Sequence, residues 1–437
     1  MKIKFLMKIV NFVVIQSIIF CYGVSGSISQ PNLINSKQNG LSPVIFIPGL
    51  GGNRLHAKLD KLSVPHRWCR KQCDYCDIWL NLFEMLPNSI DCWIDNMKLH
   101  YDNVTRKTRN TYGVEIRLPE FGRTEAIEWL DTTPIVDHFD SGAYYYHLAY
   151  ALTNRGYVRG KNLFGAPYDF RKGPNENEDW FERLAQLTEY AYETNNNVGV
   201  TYVVHSMGGR MLLYFLQNMS KEWKDRFVKQ MISVSVPYGG SVQAVVALTV
   251  GDTLNSKFLN NVKMKSVQET FPSIVWLMPS QYFWKSDETL AILQDKNYTI
   301  ENIDAFFNDI NMPNIVEIRK DLSGYNDVTS PGVDVHCLFG SSVDTVEMLN
   351  FGEKYNSKPE LIRGNGDGVV NDRSLNGCKY WINTTAQGKH KIYWKDFPGA
   401  QHITILNDKG LINYILNKLT GYHDYPRADE QKHLKNI

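Results

Sequence analysis

The segment TYVVHSMGGR, Thr201 to Arg210, constrains this 437-residue chain more than any other. Thr201–Val204 is an apolar run with the look of a strand buried on both faces. RMLLYFLQNM (Arg210–Met219) reads as a helix. Between them a serine is followed by glycines. A strand that turns this sharply into a helix lifts the Ser206 hydroxyl clear of the sheet and leaves the Met207 N–H at a helix N-terminus, where an oxyanion would form. Val204 stands where the usual pattern has glycine two residues before the serine, and its side chain should crowd the strand–helix crossing. The plainer alternative is an ordinary serine in a glycine turn. Further buried runs occur at Val44–Ile47, Ile232–Val236, Val333–Gly340 and Ile392–Phe397. The helical spacing of Trp180, Leu184, Leu187, Tyr190 and Ala191 ends at NNNVG (Asn195–Gly199). Strands alternating with helices predict a mostly parallel sheet with helices on both faces.

A serine nucleophile needs a base, and the base needs a carboxylate; where the serine sits on such a strand–helix turn of a parallel sheet, the chain order is Ser, acid, His. His336, His390, His402, His423 and His433 follow Ser206. His336 lies inside a strand and reads as core, His390 precedes a strand, and His423 and His433 sit in a polar tail. His402, in FPGAQHI (Phe397–Ile403), comes just after the last strand, at the edge where ligands bind such sheets. RGNGDGVVND (Arg363–Asp372) offers Asp367 between glycines, with Asp372 as rival. A calcium turn built from Asn365, Asp367 and Asn371 is the alternative, too short for an EF-hand loop. The second oxyanion N–H should come from PGLGG (Pro48–Gly52), at Leu50.

The surroundings point to export. Lys2, Lys4 and Lys8 precede an apolar run, Ile9–Phe20, and small residues at Gly23–Ser27, which predicts a cleaved signal peptide over 1–26. Six of the seven cysteines then remain: Cys69, Cys73, Cys76, Cys92, Cys337 and Cys378. An even count in an exported chain implies disulfides. The lone Cys73/Cys76 pair lacks two further ligands at zinc spacing, so no metal is expected. Sequons at Asn103, Asn218, Asn297 and Asn383 agree with secretory passage. With 47 Lys plus Arg against 46 Asp plus Glu, charge gives no reason to expect a nucleic-acid partner. Residues 27–64 and 106–237 read as sheet core. Residues 65–105, rich in cysteine and containing DIWLNLFEMLP (Asp77–Pro87), read as a disulfide-stapled excursion. The strand pattern lapses over 238–327, which reads as a cap or lid, and 328–437 returns to the core.

Together these motifs are similar to those of the lecithin:cholesterol acyltransferase family. The stretches that carry the resemblance are IPGLGGNRLHAKLDK (Ile47–Lys61), IWLNL, IDCWIDN (Ile90–Asn96), GAPYDFR (Gly165–Arg171), NEN (Asn175–Asn177), VHSMGG, SVPYGG (Ser235–Gly240), VHCLFG, GNGDGVVN and PGAQHI, in order along nearly the whole mature chain. The resemblance implies an α/β-hydrolase fold, a triad of Ser206, Asp367 and His402, oxyanion donors at Leu50 and Met207, and disulfides Cys69–Cys92 and Cys337–Cys378. Cys73 and Cys76 are then extra: they pair with each other, or one replaces Cys69. It also implies a membrane-binding subdomain over 65–105, in which Trp79, Leu80, Leu82, Phe83 and Leu86 dip into lipid as an amphipathic surface helix or else pack on the sheet. The implied activity is cleavage of glycerophospholipid acyl esters, with the acyl group passed to water or a lipid alcohol. The protein would be a cofactor-free monomer working at a phospholipid membrane surface, in the lysosome lumen or outside the cell. Alternatives are a sterol acyltransferase with a lipoprotein partner, and a lipid-binding protein on an inactive hydrolase fold. Lysosomal members carry an acidic residue at the position of Leu50, so this chain departs from them there, as it does at Val204 and at the extra cysteine pair.

Overall fold

The computed structural model describes residues 40–131, 142–253, 259–355, 358–384 and 390–421. The expected signal peptide, His423 and His433 lie outside these residues, as does the side chain of Asn383.

Six strands form a central sheet: β1 (Val44–Ile47), β7 (Leu163–Gly165), β8 (Val200–His205), β9 (Val228–Val234), β12 (Asp334–Ser341) and β15 (Ile392–Pro398). Their order is β15-β12-β9-β8-β1-β7, with every pairing parallel. Period-two alternation explains why these strands are apolar throughout. Ile45, Ile47, Tyr202, Val204 and Met231 join the core on one face. Val44, Phe46, Val203, Ile232 and Val234 join the core on the other. The helix Glu178–Thr194 covers the first face through Trp180, Leu184, Leu187, Thr188 and Ala191. Tyr190, expected in that stripe, is exposed; Thr188 takes the inward position and its Oγ1 bonds the Tyr202 hydroxyl at 2.6 Å. Asn196 and Asn197, both at φ 57°, turn the chain out of this helix, a conformation asparagine tolerates. The helix Lys409–Thr420 covers the second face, capped by the Asp408 carboxylate and ended by Gly421 at φ 70°.

A parallel sheet brings all its strand C-termini to one edge, where the loops after β1, β8 and β15 therefore meet. With helices on both faces, this is the α/β-hydrolase architecture.

Three smaller sheets depart from expectation. The cap region is not strand-free: β10 (Thr289–Leu293) and β11 (Lys296–Thr299) form a hairpin, and β10 pairs with β13 (Val343–Asn350), which pairs with β14 (Glu360–Gly366). The hairpin turn is Gln294-Asp295, both at positive φ (52° and 59°), with neither the Asn nor the Gly that marks such turns in a sequence. The cysteine-rich excursion is also a sheet. β3 (Gln72–Trp79) pairs with β2 (Leu55–Asp60), which pairs with β6 (Val114–Arg117); β4 (Leu99–Asp102) and β5 (Lys107–Asn110) form a ribbon beside it. Three disulfides close: Cys69–Cys92, Cys73–Cys76 and Cys337–Cys378, so the extra cysteines pair with each other.

The expected surface helix over Asp77–Pro87 is absent. Strand β3 runs to Trp79, turns follow, and helix begins only at Ile90. Asn81 turns the chain by accepting the Glu84 N–H on Oδ1. Trp79 is not a membrane contact: it is 7% exposed and its indole N–H donates to the Gly51 carbonyl at 2.7 Å. Leu80 is half-buried. Leu82, Phe83 and Leu86 are exposed at 40, 46 and 47%. No helix among the described residues is long and apolar enough to cross a membrane.

Candidate active site

Ser206 follows β8 at φ 54°, ψ −132°, a backbone conformation outside the ordinary helix and strand regions, and the helix Met207–Asn218 starts at once. Such strain persists where the surroundings over-determine it. Here the glycines after the serine do so. A Cβ on Gly208 would lie 2.3 Å from the Pro48 carbonyl oxygen, and one on Gly209 2.1 Å from Val236 Cγ2. The close crossing thus falls after the serine, and Val204 fits within the apolar core without obstructing it.

His402 lies four residues past β15. Its Nε2 is 2.8 Å from Ser206 Oγ and its Nδ1 is 2.7 Å from Asp367 Oδ2. The carboxylate only accepts, so Nδ1 carries the proton and Nε2 is free to take the serine's. Asp367 is fully buried. It follows β14 rather than a strand of the central sheet. Strand β12 runs on through Ser342 (φ 61°) into β13, and β14 returns antiparallel to β13, pairing Gly366 with Val343 at the start of β13. A Cβ on Gly340 would touch Asp367 Cβ at 3.1 Å and the Ala400 carbonyl at 2.0 Å, so only glycine lets acid and base loops close over β12. Asp367 Oδ1 accepts the N–H groups of Val369 and Val370 at 3.1 and 2.8 Å. Asp372, the rival acid, opens a short helix, and Asn371 clamps Val242 and Val346 backbone instead of facing an ion.

The loop after β1 closes by Gly52 N–H to the Gly49 carbonyl at 3.0 Å, with Gly51 at φ 69°. That bond does not use the Leu50 N–H. Gly49 packs on the serine: a Cβ there would lie 2.7 Å from Ser206 Cβ. The Met207 N–H is the first of its helix and has no partner within it.

Ser206 and His402 open into a cavity of about 300 Å³. Its walls are largely apolar, including Trp79, Leu80, Leu130, Ala247, Ile274, Leu277 and Ile403, and its polar lining besides Ser206 and His402 includes Tyr144, His205, Ser241, Gln243, Asp252 and Gln268. Trp79 and Leu80, read as either dipping into lipid or packing on the sheet, line this cavity. Two further residues at the site, His205 and Tyr144, carry no signal in the sequence. His205 stands inside the quoted motif, but as the residue before the serine rather than after it. Tyr144 lies in a run of three tyrosines that carries no spacing signal.

His336 is buried in β12, as expected for a core residue. Asn103, Asn218 and Asn297 are exposed.

The profile of the family described as "Lecithin:cholesterol acyltransferase" matches residues 75–328 and 323–409. The chain is 35% identical over 381 residues to the human "Lysosomal phospholipase A and acyltransferase", covering 87% of this chain and 90% of the relative. It is 36% identical over 374 residues to the Gallus gallus "Phosphatidylcholine-sterol acyltransferase", covering 84% and 88%. A Bacillus licheniformis lipase structure is similar at 10% identity and a TM-score of 0.32 over 90% of this chain and 94% of that one. On the extent of these matches and on that profile, the chain belongs to the lecithin:cholesterol acyltransferase family.

Proposed function

We propose that this chain is a phospholipase A and O-acyltransferase that works through an acyl-serine at Ser206. The observation that carries the reading is the hydrogen-bonded line Ser206–His402–Asp367 at the mouth of an apolar cavity. As Ser206 Oγ attacks the ester carbonyl of a glycerophospholipid, its proton passes to His402 Nε2. The resulting imidazolium is held by Asp367. The oxyanion is received by the N–H groups of Leu50 and Met207. The Oγ–C bond forms, the ester C–O bond breaks, and the His402 proton goes to the departing lysophospholipid oxygen. Water or a lipid alcohol then attacks the acyl-serine and gives its proton to Nε2; the acyl C–Oγ bond breaks, Nε2 returns the proton to Oγ, and a fatty acid or a new ester leaves. No step requires a metal or organic cofactor.

The exposed Leu82, Phe83 and Leu86 form the contact with a phospholipid surface in this reading. The apolar leader, the sequons and the three disulfides support a lumenal setting, lysosomal or extracellular. Because one chain carries the whole triad and cavity, we assign the monomer as the working unit.

The test is product analysis on phosphatidylcholine vesicles offered ceramide or sterol as acceptor across pH, with Ser206→Ala as control. Lysophospholipid with fatty acid or an acylated alcohol, absent from the control, is expected. A strong preference for sterol would favour the sterol acyltransferase reading. No lysophospholipid from folded wild-type protein would favour lipid binding on an inactive fold.

A further inference from the structure

A buried chain of polar groups joins the loop after β1 to the base, and the mechanism above leaves it without a role. His205 ends β8 directly before Ser206 and is buried. Its Nε2 lies 2.8 Å from the His402 carbonyl oxygen, an atom that only accepts, so Nε2 carries the ring proton. The neutral ring then has a bare Nδ1, which accepts a hydrogen bond from the Tyr144 hydroxyl at 2.5 Å. The Tyr144 oxygen in turn accepts the Gly49 N–H at 3.1 Å. A backbone N–H at one end and a backbone carbonyl at the other therefore set the direction of every bond between them.

Both ends of the chain meet the reacting groups. Gly49 precedes Leu50 and packs on Ser206. The Tyr144 ring fills the space beneath Gly52, where a Cβ would lie 2.7 Å from a ring carbon. At the other end, the His402 N–H donates to the Asp367 carbonyl at 2.9 Å, so the same residue is gripped through both of its backbone groups. Burial, and next the His402 imidazole, hold the His205 pKa well below the ordinary histidine range. His205 thus stays neutral when His402, at a ring-centroid distance of 4.9 Å, becomes a cation.

We propose that Tyr144 and His205 are positioning residues of the reaction, which hold the oxyanion loop in register with the base through the relay Gly49–Tyr144–His205–His402. The inference rests on Ser206 being the nucleophile. The physical argument is one of placement: a donor or base displaced by about 1 Å can cost on the order of 100-fold in rate, and this relay is a direct hydrogen-bonded connection between the two loops.

The experiment compares wild type, Tyr144→Phe, His205→Phe, His205→Gln and the Tyr144→Phe/His205→Phe double variant. For each, kcat and KM on a soluble short-chain ester, the rate of fluorophosphonate labelling of Ser206, and Tm are measured. Tyr144→Phe removes one oxygen and keeps the ring. It should lower kcat and labelling about 10- to 100-fold, with KM within about twofold and the Tm of a folded protein. The double variant should be no worse than the weaker single, because both break one relay. His205→Gln, whose amide offers an acceptor and a donor at similar spacing, should recover part of the loss of His205→Phe. Full kcat in Tyr144→Phe, losses that multiply in the double variant, or failure of Tyr144→Phe to fold would overturn the relay. No labelling of folded wild type at Ser206 would instead overturn the nucleophile on which it rests.

Discussion

Asp367 has its two oxygens committed to different partners. One holds the Val369 and Val370 N–H groups and the other holds His402 Nδ1, so the carboxylate cannot rotate away from the imidazole. Asp367→Asn can present an amide N–H to Nδ1, which favours the tautomer with its proton on Nε2, facing the serine. A rate loss of roughly 10⁴ in kcat is expected, with KM near wild type and unchanged circular dichroism, read by steady-state kinetics on a soluble ester. His336 makes a different prediction. Burial, and next the nearby Lys418, push its pKa down to about 4, against the opposing pull of Asp334. The unfolded chain therefore binds more protons than the fold below the ordinary histidine range. This residue's contribution leaves stability flat above about pH 6.5 and lowers it as pH falls toward 4. The loss is about 2–3 kcal/mol by pH 4. His336→Gln should reduce the fall in Tm over that window; an unaltered pH dependence would show that His336 is not buried neutral.

At the scale of elements, the turn after β3 separates two roles the sequence had merged. Trp79 and Leu80 face the cavity while Leu82, Phe83 and Leu86 face out. Replacing those three by serine should weaken binding to phosphatidylcholine vesicles by at least about tenfold, since each apolar side chain transferred from water contributes on the order of 1 kcal/mol or more. Turnover of a soluble ester should stay within about twofold. Equal losses in both assays would mean that the turn supports the cavity rather than the interface. Strands buried on both faces and the long helix were legible because period and burial coincide over several residues. The segment after Asp77 was not, since a run of Trp, Leu and Phe fits a helix, a strand or a turn equally well until its neighbours are known. The β10–β11 hairpin escaped for a related reason: Gln-Asp gives no turn signal.

For the whole molecule, the catalytic line depends on joining three regions distant in sequence. Ser206 and His402 were legible because each follows a central strand. Asp367 was legible from its bracketing glycines, although the strand that delivers it lies in another sheet. Tyr144 and His205 were not, because a buried hydrogen bond between distant side chains has no local pattern. Cys337–Cys378 anchors β12, the strand over which acid and base close, to the short helix at Cys378 across a separation of 41 residues, whereas Cys73–Cys76 spans 3. Loop-closure entropy puts the first at about 4 kcal/mol and the second at about 2. Paired serine variants should therefore lower stability more at the first site than at the second, as read by chemical denaturation; the reverse order would contradict this.

The claim beneath all of this is that a fatty acyl group resides on one serine oxygen between donor and acceptor. Phosphatidylcholine carrying a labelled acyl chain, mixed with the enzyme, quenched in acid within the first turnovers and digested, reads that species by mass spectrometry. The label should sit on the peptide containing Ser206, disappear on adding water-rich chase or a lipid alcohol, and be absent from Ser206→Ala. Product formed with the label on another residue, or undiminished product from Ser206→Ala, would contradict the account.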